Sequence, residues 1–115
     1  MPTDPVLGDE DVSAYRSCAA RGNYLAMDRP DICFAAKETC RWMGGPKEAD
    51  SEAVRRIVRY FQEKQRLVYH FPYQSEAGAV AYVDTDFVGC VSTRRSTSGG
   101  MLTRGAHLLK HWSVT

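Results

Sequence analysis

The spacing of apolar residues changes once along this chain, near residue 66, and that change restricts the possible folds most strongly. Before it, apolar residues recur at helical intervals, as Ile32, Ala35 and Ala36 do at positions i, i+3 and i+4. After it, the pattern follows the shorter period of strands, and residues 79–83 (Ala-Val-Ala-Tyr-Val) are the clearest strand candidate. Helices followed by strands in separate parts of one chain predict an α+β fold.

The first part predicts a small bundle of three helices. Asp11 or Ser13 is expected to cap the first helix. Pro30 suits the first turn of the second helix, because its missing N–H costs nothing there. Residues 44–46 (Gly-Gly-Pro) end the second helix, and the short loops leave the helices only each other to pack against. The predicted helices span about residues 11–27, 30–43 and 47–63.

The second part predicts three antiparallel strands joined as a meander. A short β-rich stretch, Leu67–Tyr69, comes first and is ended by Pro72. Without a helix to cover it, such a sheet has open edges and one uncovered face. We therefore expect this part to be a truncated piece of a domain. We also expect it to self-associate through its edges. The expected strands lie at residues 79–83, 101–103 and 108–112, with a polar hairpin connection at 93–100 in which Gly99 and Gly100 are turn residues.

These patterns divide the chain into three segments. Residues 1–10 are acidic and contain Pro2 and Pro5, which predicts a disordered lead-in. Residues 11–66 form the predicted helical segment, and residues 67–115 form the predicted β segment.

Charge and composition exclude several classes of protein. Fifteen Lys+Arg against 14 Asp+Glu leave a net charge of +1, so the chain is not a polycation that binds nucleic acid by bulk charge. The longest apolar runs, Ile32–Ala36 and Ala79–Val83, are far shorter than the roughly 20 residues of a membrane span. No secretory signal precedes the four cysteines, so we expect an intracellular protein with reduced thiols.

Several short segments, taken in order, resemble one family. Arg29-Pro30-Asp31-Ile32 is a supporting match, and the stretch Thr93–Gly99 following the Asp-x-Asp-aromatic string at Asp84 is the most specific one. On these residues the chain, over about residues 14–113, resembles the Pol polyprotein of copia-type LTR retrotransposons, from the end of the reverse transcriptase to the start of the ribonuclease H domain, in truncated form. The other matching segments are Tyr15–Ser17, Tyr24–Ala26, Val58–Tyr60, Leu67–Tyr69 and His111–Ser113.

The resemblance implies a thumb-like helical bundle that contacts a template–primer duplex, followed by the first three strands of a ribonuclease H fold. It also implies a two-metal site, in which clustered carboxylates hold two Mg²⁺ ions for hydrolysis of RNA in a hybrid. Asp84 matches the family's first catalytic carboxylate at the end of a central strand, and Asp86 is a second candidate metal ligand beside it. The polymerase aspartates and the remaining nuclease carboxylates are absent, so we expect no polymerisation, negligible cleavage and no bound cofactor in this chain. The alternative interpretation of Asp84 is a solvated carboxylate at a strand end.

Two basic groups are candidates for contact with nucleic acid. Arg55, Arg56 and Arg59 are expected to form a basic face on the third helix, and Arg94 and Arg95 form a second group. Arginines of this kind contact the phosphate backbone without reading sequence. The alternative is a solvated helix face whose charge is relieved by Glu52 and Glu63.

Two histidines remain to be placed. His107 and His111 are expected to share one strand face, where an exposed edge position and a metal-binding pair are the alternatives. Overall the sequence predicts an inactive part of a Pol polyprotein. A helical module that binds nucleic acid or protein without catalysis is the alternative, and a metal-dependent nuclease of hybrids is the third hypothesis.

Overall fold

The structure, a computed structural model, describes residues 4–75 and 78–115. Within them, helices α1 (Asp9–Leu25), α2 (Cys33–Cys40) and α3 (Glu48–Glu63) precede strands β1 (Ala79–Asp86), β2 (Thr97–Arg104) and β3 (His107–Val114). The predicted α+β class is therefore confirmed. The chain divides into two compact units, the helical unit Met1–Leu67 and the sheet unit Val68–Thr115. In the described ranges, no helix has both the length and the apolar character needed to cross a membrane.

The three helices of the helical unit contact each other and bury a core of small and aromatic residues. Tyr15 and Ala19 of α1 pack against Val54 of α3, and Ala36 of α2 is fully buried beside Ile32. The Tyr15 hydroxyl donates a hydrogen bond to the Thr39 carbonyl oxygen at 2.5 Å. Burial of this phenol raises its pKa to about 12. The tyrosine thus ties α1 to α2 at the centre of the unit.

The first helix begins earlier in the structure than the sequence predicts. α1 begins at Asp9, inside the predicted lead-in, and Val6 pairs with Lys47 through the backbone. Residues 1–3 of that lead-in lie outside the described residues.

The predicted second helix is instead a 3-10 turn, Pro30–Ile32, followed by the short α2. After Cys40 the chain tightens into turns in which Trp42 N–H donates to Thr39 and Met43 N–H donates to Cys40, both at 3.4 Å. These i→i+3 bonds end the α-helix three residues before the predicted limit.

The sheet unit is an antiparallel meander with the strand order β1-β2-β3. Within the described residues β1 is therefore an edge strand. The central position of this strand in the fold that the resemblance implies stays a prediction. Every residue of β1 is exposed, since no described helix of this unit lies on the sheet. Self-association through such an edge stays a prediction.

The predicted hairpin connection at 93–100 is wrong in its second half. Gly99 and Gly100 lie within β2, opposite Asp84 and Val83 of β1, so the connection runs over residues 87–96. A Cβ atom on Gly100 would lie 2.3 Å from Cζ2 of Trp112, because the indole crosses this position. Gly100 is thus required for close packing and not for a turn. The β-rich stretch Leu67–Tyr69 forms no strand.

The segment before β1 is fastened to the turn between β2 and β3. The Gln74 side-chain amide donates to the Arg104 carbonyl oxygen at 2.7 Å and accepts from Ala106 N–H at 3.1 Å. His107 Nε2 lies 2.8 Å from the Pro72 carbonyl oxygen, and its ring meets Phe71 edge to face. These contacts order a stretch that has no regular secondary structure.

A bulge in β3 corrects the predicted placement of the histidines. Leu102 pairs with Lys110 and Thr103 pairs with Leu108, so one residue of β3 has no partner in β2. The extra residue moves His107 and His111 to opposite faces of the sheet. Both ring nitrogens of His111 are buried and find no hydrogen-bond partner within the described part of the chain.

Candidate nucleic-acid interface

The predicted basic face of α3 is divided between two grooves. Arg55 and Arg59, one helical turn apart, line a groove of about 460 Å³ between α1 and α3. Arg56 lines a different groove, of about 480 Å³, between α2 and α3. Adjacent residues of a helix point about 100° apart, so Arg56 lies next to a different groove from Arg55 and Arg59 although all three are exposed on α3. Their role as one basic face stays a prediction.

Arg55 and Arg59 converge on a single carboxylate. Nη1 of Arg55 lies 3.5 Å from Oε2 of Glu52, and Nη2 of Arg59 forms an ion pair with Oε1 of the same side chain. The hydrogen bond from Arg59 is the main reason that the pKa of Glu52 is lowered. The arginine side chains are 68% and 62% exposed, so both ion pairs are open to solvent and contribute little to stability.

The second basic group lies in the connection between β1 and β2. Arg94 has a left-handed backbone with φ 56°, and its N–H donates to the Cys90 carbonyl oxygen at 2.8 Å. The Ser96 hydroxyl oxygen accepts a hydrogen bond from Val88 N–H at 3.0 Å. The serine thus holds the loop closed, while Arg94 and Arg95 remain exposed shortly before β2 begins.

Asp84 and Asp86 lie two residues apart on one face of β1, as predicted from strand alternation. Oδ1 of Asp84 accepts a hydrogen bond from Thr85 N–H at 2.9 Å. The Asp86 carboxylate lies so close to Gly89 that a Cβ on this glycine would be 1.6 Å from Oδ2. Gly89 therefore makes room for the carboxylate at the end of the strand.

The two-metal site that the resemblance implies needs more carboxylates than these two. Among the described residues, no three His, Cys, Asp or Glu side chains come together as metal ligands. A two-metal site needs several carboxylates around a pair of dications about 4 Å apart, and two exposed aspartates provide too little charge. Their assignment as metal ligands, and that of Asp84 as a catalytic residue, stay predictions.

Sequence reasoning missed a buried ionic group of the helical unit. Arg29 is only 8% exposed. Its Nε and Nη2 donate to the two carboxylate oxygens of Asp31 at 3.0 and 2.8 Å. Nη2 also donates to the Lys64 carbonyl oxygen at 2.9 Å, just beyond the end of α3. The guanidinium lies 5.0 Å from the centre of the Phe61 ring.

Asp31 completes this group by accepting a hydrogen bond from the Tyr60 hydroxyl at 2.6 Å. The hydrogen bonds from Arg29 hold the pKa of Asp31 at about 2. The Arg-x-Asp spacing around Pro30 was the available signal, since it allows a bidentate pair. Its acceptors at the end of α3 could not be read from sequence. Arg29 supports the end of the helix that carries Arg55 and Arg59.

Comparison with known proteins relates the chain to mobile elements. An uncharacterized mitochondrial protein of Arabidopsis thaliana is 35% identical over 107 residues, which cover 90% of this chain and 43% of that protein. The retrovirus-related Pol polyprotein from the Arabidopsis transposon RE1 is 30% identical over 103 residues. The chain is a relative of retrotransposon Pol polyproteins. This confirms the family resemblance that the motifs indicated, at the level of the Pol polyprotein.

The relationship covers only a small part of the Pol protein. The matched residues are 90% of this chain but 7% of the RE1 polyprotein. A secreted RxLR effector protein of Plasmopara viticola is 33% identical over 65% of this chain and 53% of its own length. The chain thus spans about half or less of each of these relatives. No protein-family model matches it, and no solved structure matches it significantly.

Proposed function

We propose that this chain is the part of a copia-type Pol polyprotein that joins the end of the reverse transcriptase to the start of the ribonuclease H domain. The relationship to a transposon Pol polyprotein carries this proposal. It is supported by the order of the two units, a helical bundle and then an antiparallel meander. The motif residues support it as well, because Asp84 lies on a strand and Thr93–Gly99 leads into the next strand.

The contribution of this chain is contact with the phosphate backbone of a template–primer duplex or an RNA–DNA hybrid, without catalysis. Exposed arginines in both units support this function: Arg55 and Arg59 in the helical unit, and Arg94 and Arg95 in the sheet unit. Arginine forms strong hydrogen bonds with phosphate oxygens. The small net charge of +1 means that any such binding depends on these local groups.

Binding is expected to weaken steeply with salt, and Arg59→Gln is expected to reduce this dependence. Each neutralised phosphate contributes about 0.9 to the slope of log K against log salt. The variant should therefore lower the slope by about 1 and reduce affinity several-fold at about 50 mM salt. Fluorescence anisotropy of a labelled RNA–DNA hybrid of about 16 base pairs measures both quantities.

Arg21→Gln is the matched control for this experiment, because Arg21 is an exposed arginine on α1. It changes the net charge equally but removes no residue of the interface, so its slope should remain that of the wild type. A wild-type slope near zero, or an equal effect of Arg21→Gln, would contradict backbone contact through α3.

The chain is expected not to cleave the hybrid in the presence of Mg²⁺. Asp84 and Asp86 provide too few ligands for two dications, so product should stay at the background of the Asp84→Asn variant. Gel analysis of an end-labelled RNA strand in the hybrid measures this. Cleavage by the wild type that Asp84→Asn abolishes would show that the chain is a nuclease.

A further inference from the structure

We propose that Arg55 and Arg59 form one seat for a single backbone phosphate, and that Glu52 occupies this seat in the free chain. This inference rests on the proposed contact with nucleic acid. It adds where a phosphate binds and which side chain competes with that phosphate. The seat contains two guanidinium groups, and the ligand it takes is the phosphodiester of a duplex.

The three residues of the seat lie close together on α3. Glu52, Arg55 and Arg59 are at positions i, i+3 and i+7 of α3, so they follow one stripe of the helix. Each arginine reaches a different oxygen of the same carboxylate. Two guanidinium groups that meet at one carboxylate can also meet at one phosphate, because both anions present oxygens in the fork geometry that arginine prefers.

The seat is open to solvent and therefore accessible to a ligand. The side chains of Arg55 and Arg59 are about two-thirds exposed, and that of Glu52 is 42% exposed. Arg55 and Arg59 line the groove between α1 and α3, and Asp11 is an acidic residue of its lining. Arg56, which faces the other groove, is not part of this seat.

Glu52 competes with a phosphate for the two arginines. Exposed ion pairs are weak, so a phosphate of a duplex can replace the carboxylate at small cost. Glu52 then lies beside the bound phosphate and repels it. Glu52 therefore keeps the arginines extended over the groove but lowers the affinity for nucleic acid.

The test compares Glu52→Gln with Glu63→Gln in the full chain. Both variants remove one negative charge from α3, but no ion pair of Glu63 with an arginine is found among the described residues. We expect Glu52→Gln to bind the labelled RNA–DNA hybrid about three- to tenfold more tightly at about 50 mM salt, with a salt slope steeper by about 1. The affinity of Glu63→Gln for the hybrid should be much closer to that of the wild type.

A third variant, Glu52→Gln combined with Arg59→Gln, shows whether the gain depends on the seat. The added substitution should abolish the gain in affinity, while circular dichroism checks that each variant is folded. Equal gains from Glu52→Gln and Glu63→Gln would overturn the seat and leave backbone contact intact. Binding that depends on Arg94 and Arg95 but not on Glu52 would do the same. An absence of binding by every variant at low salt would overturn both this inference and the proposed function.

Discussion

Replacing Arg29 with methionine is expected to lower the melting temperature of the helical unit by roughly 10 °C. The substitution keeps an unbranched side chain but removes the donors to Asp31 and to the carbonyl oxygens of Lys64 and Gln65. It also leaves the Asp31 carboxylate with the Tyr60 hydroxyl as its remaining side-chain donor. Circular dichroism at the helical band, recorded during heating, measures the change.

Arg16→Met is the matched control, because Arg16 donates to the Met43 carbonyl oxygen at 2.8 Å from an exposed position. Its melting temperature should fall by at most about 3 °C, since water replaces that bond. Equal effects of the two substitutions would mean that burial and the pairing with Asp31 contribute nothing.

The same pair has a pH signature. Because the pKa of Asp31 is lowered from 3.8 to about 2, its stabilising effect is complete above about pH 4 and is lost as the pH falls towards 2. The difference in melting temperature between the wild type and Arg29→Met should therefore become smaller over this range. A difference that stays constant from pH 5 to pH 2 would count against the ion pair as its cause.

Replacing Gly100 with alanine is expected to destabilise the sheet unit by about 2 kcal/mol or more. The new methyl carbon would lie 2.3 Å from the Trp112 ring and 2.7 Å from the Tyr82 carbonyl oxygen. Neither group can move away easily. The indole can rotate only by losing its packing on β2, and the carbonyl oxygen belongs to the backbone of β1. Chemical denaturation followed by Trp112 fluorescence, in a Trp42→Phe background, measures the loss.

Gly99→Ala provides the control one residue earlier in the same strand. There the nearest heavy atom to the new carbon is the Trp112 carbonyl oxygen at 3.6 Å, which is an ordinary contact. This substitution should change the free energy of unfolding by less than about 1 kcal/mol. A similar loss of unfolding free energy for both substitutions would indicate that alanine destabilises β2 in general. The cause would then not be a clash with Trp112.

The helices were predictable from sequence where local signals agreed. α3 was predicted within one residue because its apolar stripe is regular and the segment Gly44–Pro46 precedes it. The second helix was predicted too long. Its apolar spacing is compatible both with an α-helix and with the 3-10 turn at Pro30–Ile32 that the structure contains. Spacing alone does not distinguish these, because residues at i and i+3 share a face in both kinds of helix.

The sheet was predictable in the number of its strands but not in their limits. Gly99 and Gly100 have the composition of a turn, and only the ring of Trp112, from the next strand, explains why glycine is needed at position 100 within β2. The bulge in β3 also leaves no local signal, so alternation placed His107 and His111 on the same face incorrectly. Both errors arise from contacts between strands, which a pattern within one strand cannot report.

The candidate interface was predicted in its residues but not in its geometry. Arg55, Arg56 and Arg59 were correctly located on a helix, yet helical rotation directs Arg56 into another groove. Glu52 was interpreted as a general relief of charge, whereas it binds Arg55 and Arg59 specifically. Rotamers of long side chains decide such pairings, and sequence spacing only permits them.

The reach of Arg29 has a consequence for the order in which the protein can fold. Its acceptors at Lys64 and Gln65 are 35 and 36 positions further along the chain. During synthesis, the Arg29 guanidinium therefore leaves the ribosome before its acceptors on Lys64 and Gln65 have been made. These hydrogen bonds form only after the whole of α3 has been synthesised. Closing so long a loop costs chain entropy that earlier helix contacts must first reduce. The bundle is thus expected to be completed by its last helix, as a late event of co-translational folding.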